Sequence, residues 1–280
     1  MKKITIGFSP CPNDTFIFDA LVNGRIATGE FTFNPILADV EELNRMAIHG
    51  ELDVSKISIG AYASASSKYV ILDSGSALGK GVGPLLVSKM PIKKDEFSKL
   101  KVAIPGKFTT ANLLLSTFFP EITNKKEVVF SAIEEMVLND EADAGLLIHE
   151  GRFTYSQKGL IKLVDLGEVW EQKRNTPLPL GCIVASRKIE ETIRIQISNF
   201  IRSSLEFAYK NPEVGKSYIR THSQEMASEV IDSHIALYVN EFSVNLGTEG
   251  KSAIEFLLQQ GIDSGILPQI TQPIFNLYKS

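Results

Sequence analysis

Short apolar runs alternate with amphipathic stretches along the first part of the chain. Their order is KITIGFS, DTFIFDALVNG, FTFNPILAD, VEELNRMAIHG and LDVSKISIGAYA. Strands joined through helices return in the same direction, so this order predicts an α/β fold with parallel strand pairs. We expect the first helix to begin at Asp14 and to end at Asn23-Gly24. The second helix is expected to end at Gly50.

Two similar apolar strands divide the rest of the chain. GVGPLLVSK occupies 81–89 and PLPLGCIVASRK occupies 177–188, and a compact unit with its own strand and helix order lies between them. The chain has 280 residues, which exceeds the usual length of one domain, roughly 100 to 200 residues. We therefore predict a larger discontinuous lobe (1–86 and 184–280), a smaller inserted lobe (87–183) and a ligand cleft between them.

The end of the chain is predicted to be helical. One helix is indicated by apolar positions at helical spacing, which are Ile189, Ile193, Ile197, Ile201, Leu205 and Ala208. Later helices are expected over 212–220, 224–242 and 249–260, the last of them closed by Gly261. Two α/β lobes joined by two crossing hinge strands resemble the type II periplasmic-binding-protein fold, in which the ligand binds between the lobes.

Composition and charge argue against nucleic acids and membranes as partners of this protein. Lys and Arg number 29 and Asp and Glu 33, giving a net charge of −4 without a basic stripe, so nucleic acid is not expected as a partner. The apolar run from Ile4 to Phe8 is too short for a signal peptide, and no run reaches membrane-spanning length. We expect a cytoplasmic protein that does not bind membranes. Cys11 and Cys182 lack CxxC spacing and are expected to be reduced.

Four junctions at the ends of predicted strands should face the cleft, because ligands of open α/β sheets bind at the carboxyl ends of strands. In the first, SPCPNDTF, Asn13 or Asp14 can cap a helix whose free N–H groups point at an anion. In the second, Lys56 and Ser58 share one side of a strand. The simpler alternatives are an ordinary capped turn and a lysine that reaches solvent.

The other two junctions contain hydroxyls and an imidazole. Thr109 and Thr110 begin a helix after Pro105-Gly106 and are suited to hold a carboxylate or hydroxyl, although an ordinary N-cap would look the same. His149 follows the apolar run 144–148, with Glu150 and Arg152 just beyond. Imidazole titrates near neutral pH, which suits proton abstraction, although a lone histidine is more often structural.

Several common site motifs are absent from the sequence. The four histidines, His49, His149, His222 and His234, show no spacing suited to zinc. The glycines at 79–83 do not have P-loop spacing, and neither GxSxG nor GxGxxG occurs. We therefore expect no metal site, and nucleotide chemistry and serine hydrolysis are disfavoured.

Seven segments, in this order, resemble one family over nearly the whole chain. They are FSPCPNDTFIFDAL, DVEELNRMA, KISIGAYA, LGKGVGPLLV, PGKFTTANLLL, AGLLIHEGRFTY and TPLPLGCIVA. The family is that of the 1,4-dihydroxy-6-naphthoate synthases of the futalosine route to menaquinone. SPCPNDTF and IHEGRFTY are the most specific of these motifs.

The resemblance implies a periplasmic-binding-protein-like lyase. Such an enzyme converts cyclic dehypoxanthinyl futalosine into 1,4-dihydroxy-6-naphthoate and dihydroxyacetone and needs no cofactor. His149 matches the proton acceptor of the family. The segments that match its substrate-binding residues are Lys56, Ile57 and Ser58, together with Thr109 and Thr110.

Three further residues are candidate substrate contacts: Asn13 and Thr15 at the start of the first helix, and Arg152 beyond the histidine. Lys56 or Arg152 is expected to face the substrate carboxylate as a charge-assisted contact.

Two other functions remain open at this point. The first is a non-catalytic solute-binding protein that closes around a small carboxylate or oxyanion, which predicts a cleft without a poised base. The second is the effector lobe of a transcription regulator, which predicts a DNA-binding helix pair before the first strand. The sequence does not decide the oligomeric state.

Overall fold

The computed structural model describes residues 1–81, 83–149, 151–174, 176–223 and 227–276. Within these residues the strands form two sheets. The first contains β1 (Lys2–Phe8), β2 (Phe31–Leu37), β3 (Val54–Ser58), β4 (Tyr69–Ile71), β5 (Ala77–Gly79) and β11 (Leu178–Ser186). The second contains β6 (Leu85–Ser88), β7 (Val102–Ile104), β8 (Lys125–Glu127), β9 (Ala144–Leu147) and β10 (Ile161–Asp165).

Helices cover and connect these sheets. In the first half of the chain they are α1 (Pro12–Val22), α2 (Val40–His49), α3 (Ile59–Ala65), α4 (Thr110–Phe118) and α5 (Ile133–Leu138). In the second half they are α6 (Gly151–Thr154), α7 (Leu166–Arg174), α8 (Glu191–Lys210), α9 (Lys216–His222), α10 (Ser228–Tyr238), α11 (Glu241–Val244) and α12 (Gly247–Asp263). Short 3₁₀ helices span Lys94–Lys99 and Phe130–Ala132.

The predicted parallel pairs are confirmed in the first sheet, and the second sheet also contains parallel pairs. The strand order of the first sheet is β2-β1-β3-β11-β4, with β5 also paired to β11, and that of the second is β10-β6-β9-β7-β8. β1 is parallel to β2 and β3, and β7 is parallel to β8 and β9. β11 runs antiparallel to β3 because the chain returns to the first sheet from the second.

The chain passes between the sheets twice, first between β5 and β6 and later between β10 and β11. β6 lies in the second sheet from Leu85, and β11 lies in the first sheet along its whole length. The predicted boundaries at 86/87 and 183/184 therefore fall inside strands. The division into two lobes stays a prediction.

Helix ends follow local chemistry in most places. α1 ends at Val22 with Asn23 as its C-cap, and α2 ends before Gly50, whose φ of 78° is left-handed. Glycine adopts this conformation without steric cost, which is why the chain stops the helix there. The helix predicted over the apolar positions from Ile189 to Ala208 is confirmed as α8, except that Ile189 lies before its first residue.

Three predictions about helix ends are wrong. α1 begins at Pro12 with Cys11 as its N-cap, so neither Asn13 nor Asp14 caps it. The helix expected over 224–242 breaks, in its described part, at Val239, because the Asn240 side chain accepts a hydrogen bond from Phe242 N and starts α11.

α12 continues past Gly261 to Asp263. A Cβ at Gly261 would lie 2.5 Å from Leu267 Cδ1, so this glycine permits close packing and does not end the helix. The helix expected over 212–220 forms later, as α9.

One apolar core contains residues of both sheets. It includes Ile57 and Val184 of the first sheet and Leu86, Val102 and Leu146 of the second, all essentially inaccessible to solvent. A separate core packs α1 and α8 on the first sheet. The two sheets therefore share one apolar core, and residues at strand ends of both sheets line a cavity.

Candidate functional site

A cavity of about 720 Å³, counting the open space at its mouth, lies where strand ends of both sheets meet. Its wall is built from the β1–α1 turn, β3, the start of α4, the end of β9, β11 and the last residue of α10. The predicted site residues on this wall are Asn13, Lys56, Ile57, Ser58, Thr109, Thr110 and His149.

The β1–α1 turn is organised around the Asp14 carboxylate. Asp14 is buried and accepts hydrogen bonds from the Ser9 backbone N–H at 3.2 Å and the Ser9 hydroxyl at 2.7 Å. Its other oxygen accepts the Asn13 amide N–H at 2.8 Å. Pro12 occupies the first helical position, where a missing N–H costs nothing. The double-proline turn therefore fixes Asn13 and Asp14 on the cavity wall.

Lys56 forms a buried ion pair with Asp14. Its Nζ lies 3.2 Å from Asp14 Oδ1, and the two side chains are 7% and 4% exposed. The same Nζ donates to the Gly75 carbonyl at 2.8 Å. The alternative that Lys56 extends to solvent is therefore wrong. An ammonium has three donors, so one remains for a ligand beside these two contacts.

Ser58 and Ile57 complete the β3 part of the wall. The Ser58 backbone N–H donates to Asn44 Oδ1 at 2.8 Å, and Asn44 Nδ2 donates to the Ser58 hydroxyl at 3.2 Å. Asn44 Nδ2 also lies 3.2 Å from a carboxylate oxygen of Glu41. Ile57 is fully buried. α2 therefore holds the end of β3 in place through its side chains.

Thr109 and Thr110 hold the start of α4 against the cavity. Thr109 is the N-cap: its hydroxyl accepts from Asn112 N at 3.2 Å and donates to the Gly106 carbonyl at 2.8 Å. The Thr110 hydroxyl donates to the Leu180 carbonyl at 2.6 Å and accepts from Gly60 N at 3.1 Å. Both hydroxyl protons are thus used inside the protein. The first backbone N–H groups of α4 have no partner within the helix.

His149 follows β9 in a left-handed backbone conformation, with φ of 55°. This conformation is uncommon for residues other than glycine and is found at functional sites. Its Nε2 is buried and has no hydrogen-bond partner among the described residues. The ring packs on Phe130 with centroids 4.8 Å apart. A buried polar atom without a partner, on the wall of a cavity, is the arrangement expected of a group that awaits a ligand.

Burial lowers the pKa of His149 from 6.5 to about 4. The Asp14 carboxylate opposes this shift, whereas the Lys56 ammonium adds to it. The imidazole is therefore neutral at pH 7 and has a free lone pair. Asp14 and Lys56 sit close enough to influence any charge that develops on the ring.

Two of the candidate contacts lie elsewhere. Thr15 is fully buried, and its hydroxyl donates to the Cys11 carbonyl at 3.0 Å inside α1. Arg152 pairs with Asp165 at 3.3 Å and donates to the Gly83 carbonyl. Neither residue is part of the cavity wall, and Arg152 instead braces the crossing segment after β5. Glu150, expected beside His149, lies outside the described residues.

Sequence reasoning missed some of the wall. Ser9 and Asp14 belong to the SPCPND turn, and a carboxylate so close to a strand end was the available signal for them. Tyr238 reaches the wall from α10, far along the chain, and only the tertiary fold brings it there. Asp14 is the ion-pair partner of Lys56 on this wall.

Three expectations from composition can be compared with the structure. Cys11 and Cys182 are both buried and are not joined in a disulfide bond, and burial raises the pKa of Cys182 to about 12. Across the described ranges, no three His, Cys, Asp or Glu side chains are grouped so that they could hold a metal ion. None of the described helices is long and apolar enough to cross a membrane.

The fold is shared with solved structures. A protein of Archaeoglobus fulgidus superimposes with a TM-score of 0.89 at 34% identity, over 95% of this chain and 98% of that one. A Candida albicans gene product, described as having the generic periplasmic binding protein fold, gives a TM-score of 0.66 at 10% identity over 96% and 92%. The predicted periplasmic-binding-protein-like α/β fold is therefore confirmed.

Sequence relatives identify the family. Residues 4–262 match the family model described as menaquinone biosynthesis. A protein of Thermus thermophilus named "1,4-dihydroxy-6-naphtoate synthase" is 44% identical over 275 residues, 98% of this chain and all of its own length. A Streptomyces coelicolor protein of the same name is 39% identical over 272 residues, 95% of each chain. The chain therefore belongs to the menaquinone biosynthesis family.

Proposed function

We propose that the protein is a 1,4-dihydroxy-6-naphthoate synthase. It is a carbon–carbon lyase that converts cyclic dehypoxanthinyl futalosine into 1,4-dihydroxy-6-naphthoate and dihydroxyacetone, with His149 as the general base. The names of the two relatives and the matching family model support the product and the pathway. The substrate follows from the resemblance of motifs such as SPCPNDTF and IHEGRFTY. A cytoplasmic location is part of the same proposal.

The observation that carries this proposal is the state of His149. Its Nε2 is buried without a partner, on the wall of a cavity that also contains a buried ion pair. A neutral imidazole can accept a proton from the substrate directly. The imidazolium that results is stabilised by the nearby Asp14 carboxylate. This is the group whose charge partly offsets the lowering of the His149 pKa by burial.

The remaining polar groups of the wall suit a polar bicyclic acid. The first N–H groups of α4 and the free donor of Lys56 can bind carboxylate or hydroxyl oxygens. Asn13 Oδ1 is buried without a partner among the described residues and can accept a hydrogen bond from a substrate hydroxyl. Because the hydroxyls of Thr109 and Thr110 donate internally, backbone N–H groups of α4 replace them as donors to the ligand.

The proposed reaction requires the protein to do little beyond binding the substrate and accepting a proton. Formation of an aromatic naphthoate supplies the driving force, so the enzyme mainly positions a strained substrate and removes one proton. His149 takes the proton that starts collapse of the substrate and expulsion of the three-carbon fragment. Base catalysis of this kind typically contributes 10² to 10⁴ in rate, an order-of-magnitude range.

Turnover of the pure substrate tests the proposal. Wild type and His149→Asn are incubated with cyclic dehypoxanthinyl futalosine, and 1,4-dihydroxy-6-naphthoate is followed by chromatography and mass. Asn tolerates the left-handed backbone at this position, so the variant tests the imidazole without straining the fold. His49→Asn, at a side chain 69% exposed, serves as the matched control.

We expect product from wild type and His49→Asn, and a loss of at least about 10²-fold in kcat for His149→Asn. A His149→Asn enzyme with wild-type kcat would remove His149 from the role of base. Binding without turnover by wild type would identify a solute-binding protein instead. Absence of both binding and turnover would refute the assigned substrate.

A further inference from the structure

The ring of His149 lies beside that of a second histidine, His234. His234 lies on α10, which packs on α1 and on β5 of the first sheet, whereas His149 follows β9 of the second. Their ring centroids are 6.1 Å apart and the ring planes differ by 26°. Phe153 of α6 also contacts the His234 ring, at 6.4 Å. His234 therefore contacts two side chains of the segment that follows β9, His149 and Phe153.

The nitrogens of His234 are unusual for a packing residue. The side chain is fully buried, and neither Nδ1 nor Nε2 has a hydrogen-bond partner within the described residues. A phenyl ring would fill the same space against Tyr238, whose ring centroid is 4.7 Å away, without desolvating two polar atoms. Buried polar atoms without partners call for an explanation in the function of the protein. The adjacent His149 ring supplies one.

We propose that His234 is a positioning residue for His149, which accepts a hydrogen bond from the His149 imidazolium once the substrate proton has been taken. This inference rests on the function proposed above. A linear N–H···N bond between two imidazoles places their centroids roughly 5 Å apart. The observed separation is 6.1 Å with nearly parallel rings, so the bond requires a small shift and a rotation of one ring. The transferred proton stays on His149, and no other bond changes.

Charge supports this division of roles. Burial and the neighbouring His149 hold the pKa of His234 well below its usual value, so His234 stays neutral and keeps an acceptor lone pair. The two neutral rings therefore take up at most one extra proton between them, and the groups around the pair favour its placement on His149. The charged groups that act on His149 are Asp14 of α1 and Lys56 of β3. Tyr238 presents its phenol from α10 itself.

The test compares His234→Phe, His234→Gln and wild type with cyclic dehypoxanthinyl futalosine as substrate. Phe keeps the aromatic packing and removes both nitrogens, whereas Gln restores an acceptor. His222→Phe, a histidine of α9 outside the cavity wall, is the matched control. The readouts are kcat, KM, the pH profile of kcat and the urea unfolding midpoint.

We expect kcat of His234→Phe to fall at least 10-fold with KM changed less than about 2-fold and an unchanged or higher unfolding midpoint. Because the lost hydrogen bond stabilised the imidazolium, the acid limb of the kcat profile should move to lower pH. His234→Gln should recover most of the lost kcat. His222→Phe should match wild type.

Wild-type kcat and an unshifted profile in His234→Phe would show that His234 only packs, which overturns the inference. A folded His234→Gln as slow as His234→Phe would overturn the acceptor role even if the Phe variant fails to fold. If wild type itself makes no product, the proposed function fails, and the inference fails with it. Activity in wild type separates these two failures.

Discussion

Acid should destabilise this protein through His149. The imidazole has a pKa of about 4 in the folded state and about 6.5 when it is exposed by unfolding. Between these values the unfolded chain binds more protons than the folded one, so stability rises with pH through this window and is lost as the pH falls. Protonating the buried ring is unfavourable because it would place a charge where water is excluded.

The size of the effect follows from this pKa difference. Each pH unit well inside the window is worth about 1.4 kcal/mol, and little is lost before the pH falls below 6.5. The protein should therefore lose about 2 kcal/mol of unfolding free energy through this group between pH 7 and pH 5. The loss approaches about 3 kcal/mol below pH 4.

Urea unfolding of wild type and His149→Asn at pH 7 and pH 5 isolates this contribution. Asn does not titrate and tolerates the positive φ of this position, and the contribution of His234 is present in both proteins. Wild type should lose about 2 kcal/mol more than His149→Asn over this range. His49→Asn, altered at an exposed side chain, should behave as wild type. Equal losses in wild type and His149→Asn would refute the reasoning that burial controls this imidazole.

Three further changes probe the cavity wall. Lys56→Met leaves the Asp14 carboxylate buried without its cation and should cost about 3 to 5 kcal/mol in urea unfolding, with much of this recovered in the double variant Lys56→Met, Asp14→Asn. Arg152→Leu should lower the free energy of unfolding by about 2 kcal/mol, because the guanidinium contacts Asp165 and the Gly83 carbonyl. The apparent substrate affinity in titration calorimetry should not change. A weaker affinity would show that Arg152 contacts the substrate. Gly83→Ala should abolish turnover, since the added Cβ would lie 2.0 Å from a backbone nitrogen of the facing segment. Gly151→Ala is the control and should retain turnover, because its Cβ would have no contact below 3.7 Å. An active Gly83→Ala enzyme would contradict the close approach of the two segments.

Much of the local structure was predictable because its causes are local. Gly50 ends α2 through its own backbone freedom, and Thr109 caps α4 with its own hydroxyl. The apolar spacing of α8 reflects one buried helix face. Local reasoning was wrong at Gly261, where α12 continues because the missing side chain lets Leu267 and the distant Leu113 pack closely.

The candidate site shows the same limit. The motifs placed Lys56, Thr110 and His149 at strand and helix ends, and all three line one cavity. Their hydrogen-bonding state was not predictable, because the partners come from other parts of the chain. Asp14 forms an ion pair with Lys56, and the Leu180 carbonyl accepts the hydrogen bond of the Thr110 hydroxyl.

By itself the sequence determined the α/β class, the order of the elements and the residue types available to the cavity. These depend on periodicity, turn chemistry and side-chain type, which act over a few neighbouring residues. Only the tertiary structure decided which groups are charged, which are occupied by internal hydrogen bonds and which remain free for a ligand. Burial and pairing depend on atoms distant in the chain: Arg152 became a brace for Gly83, and His149 came to face His234.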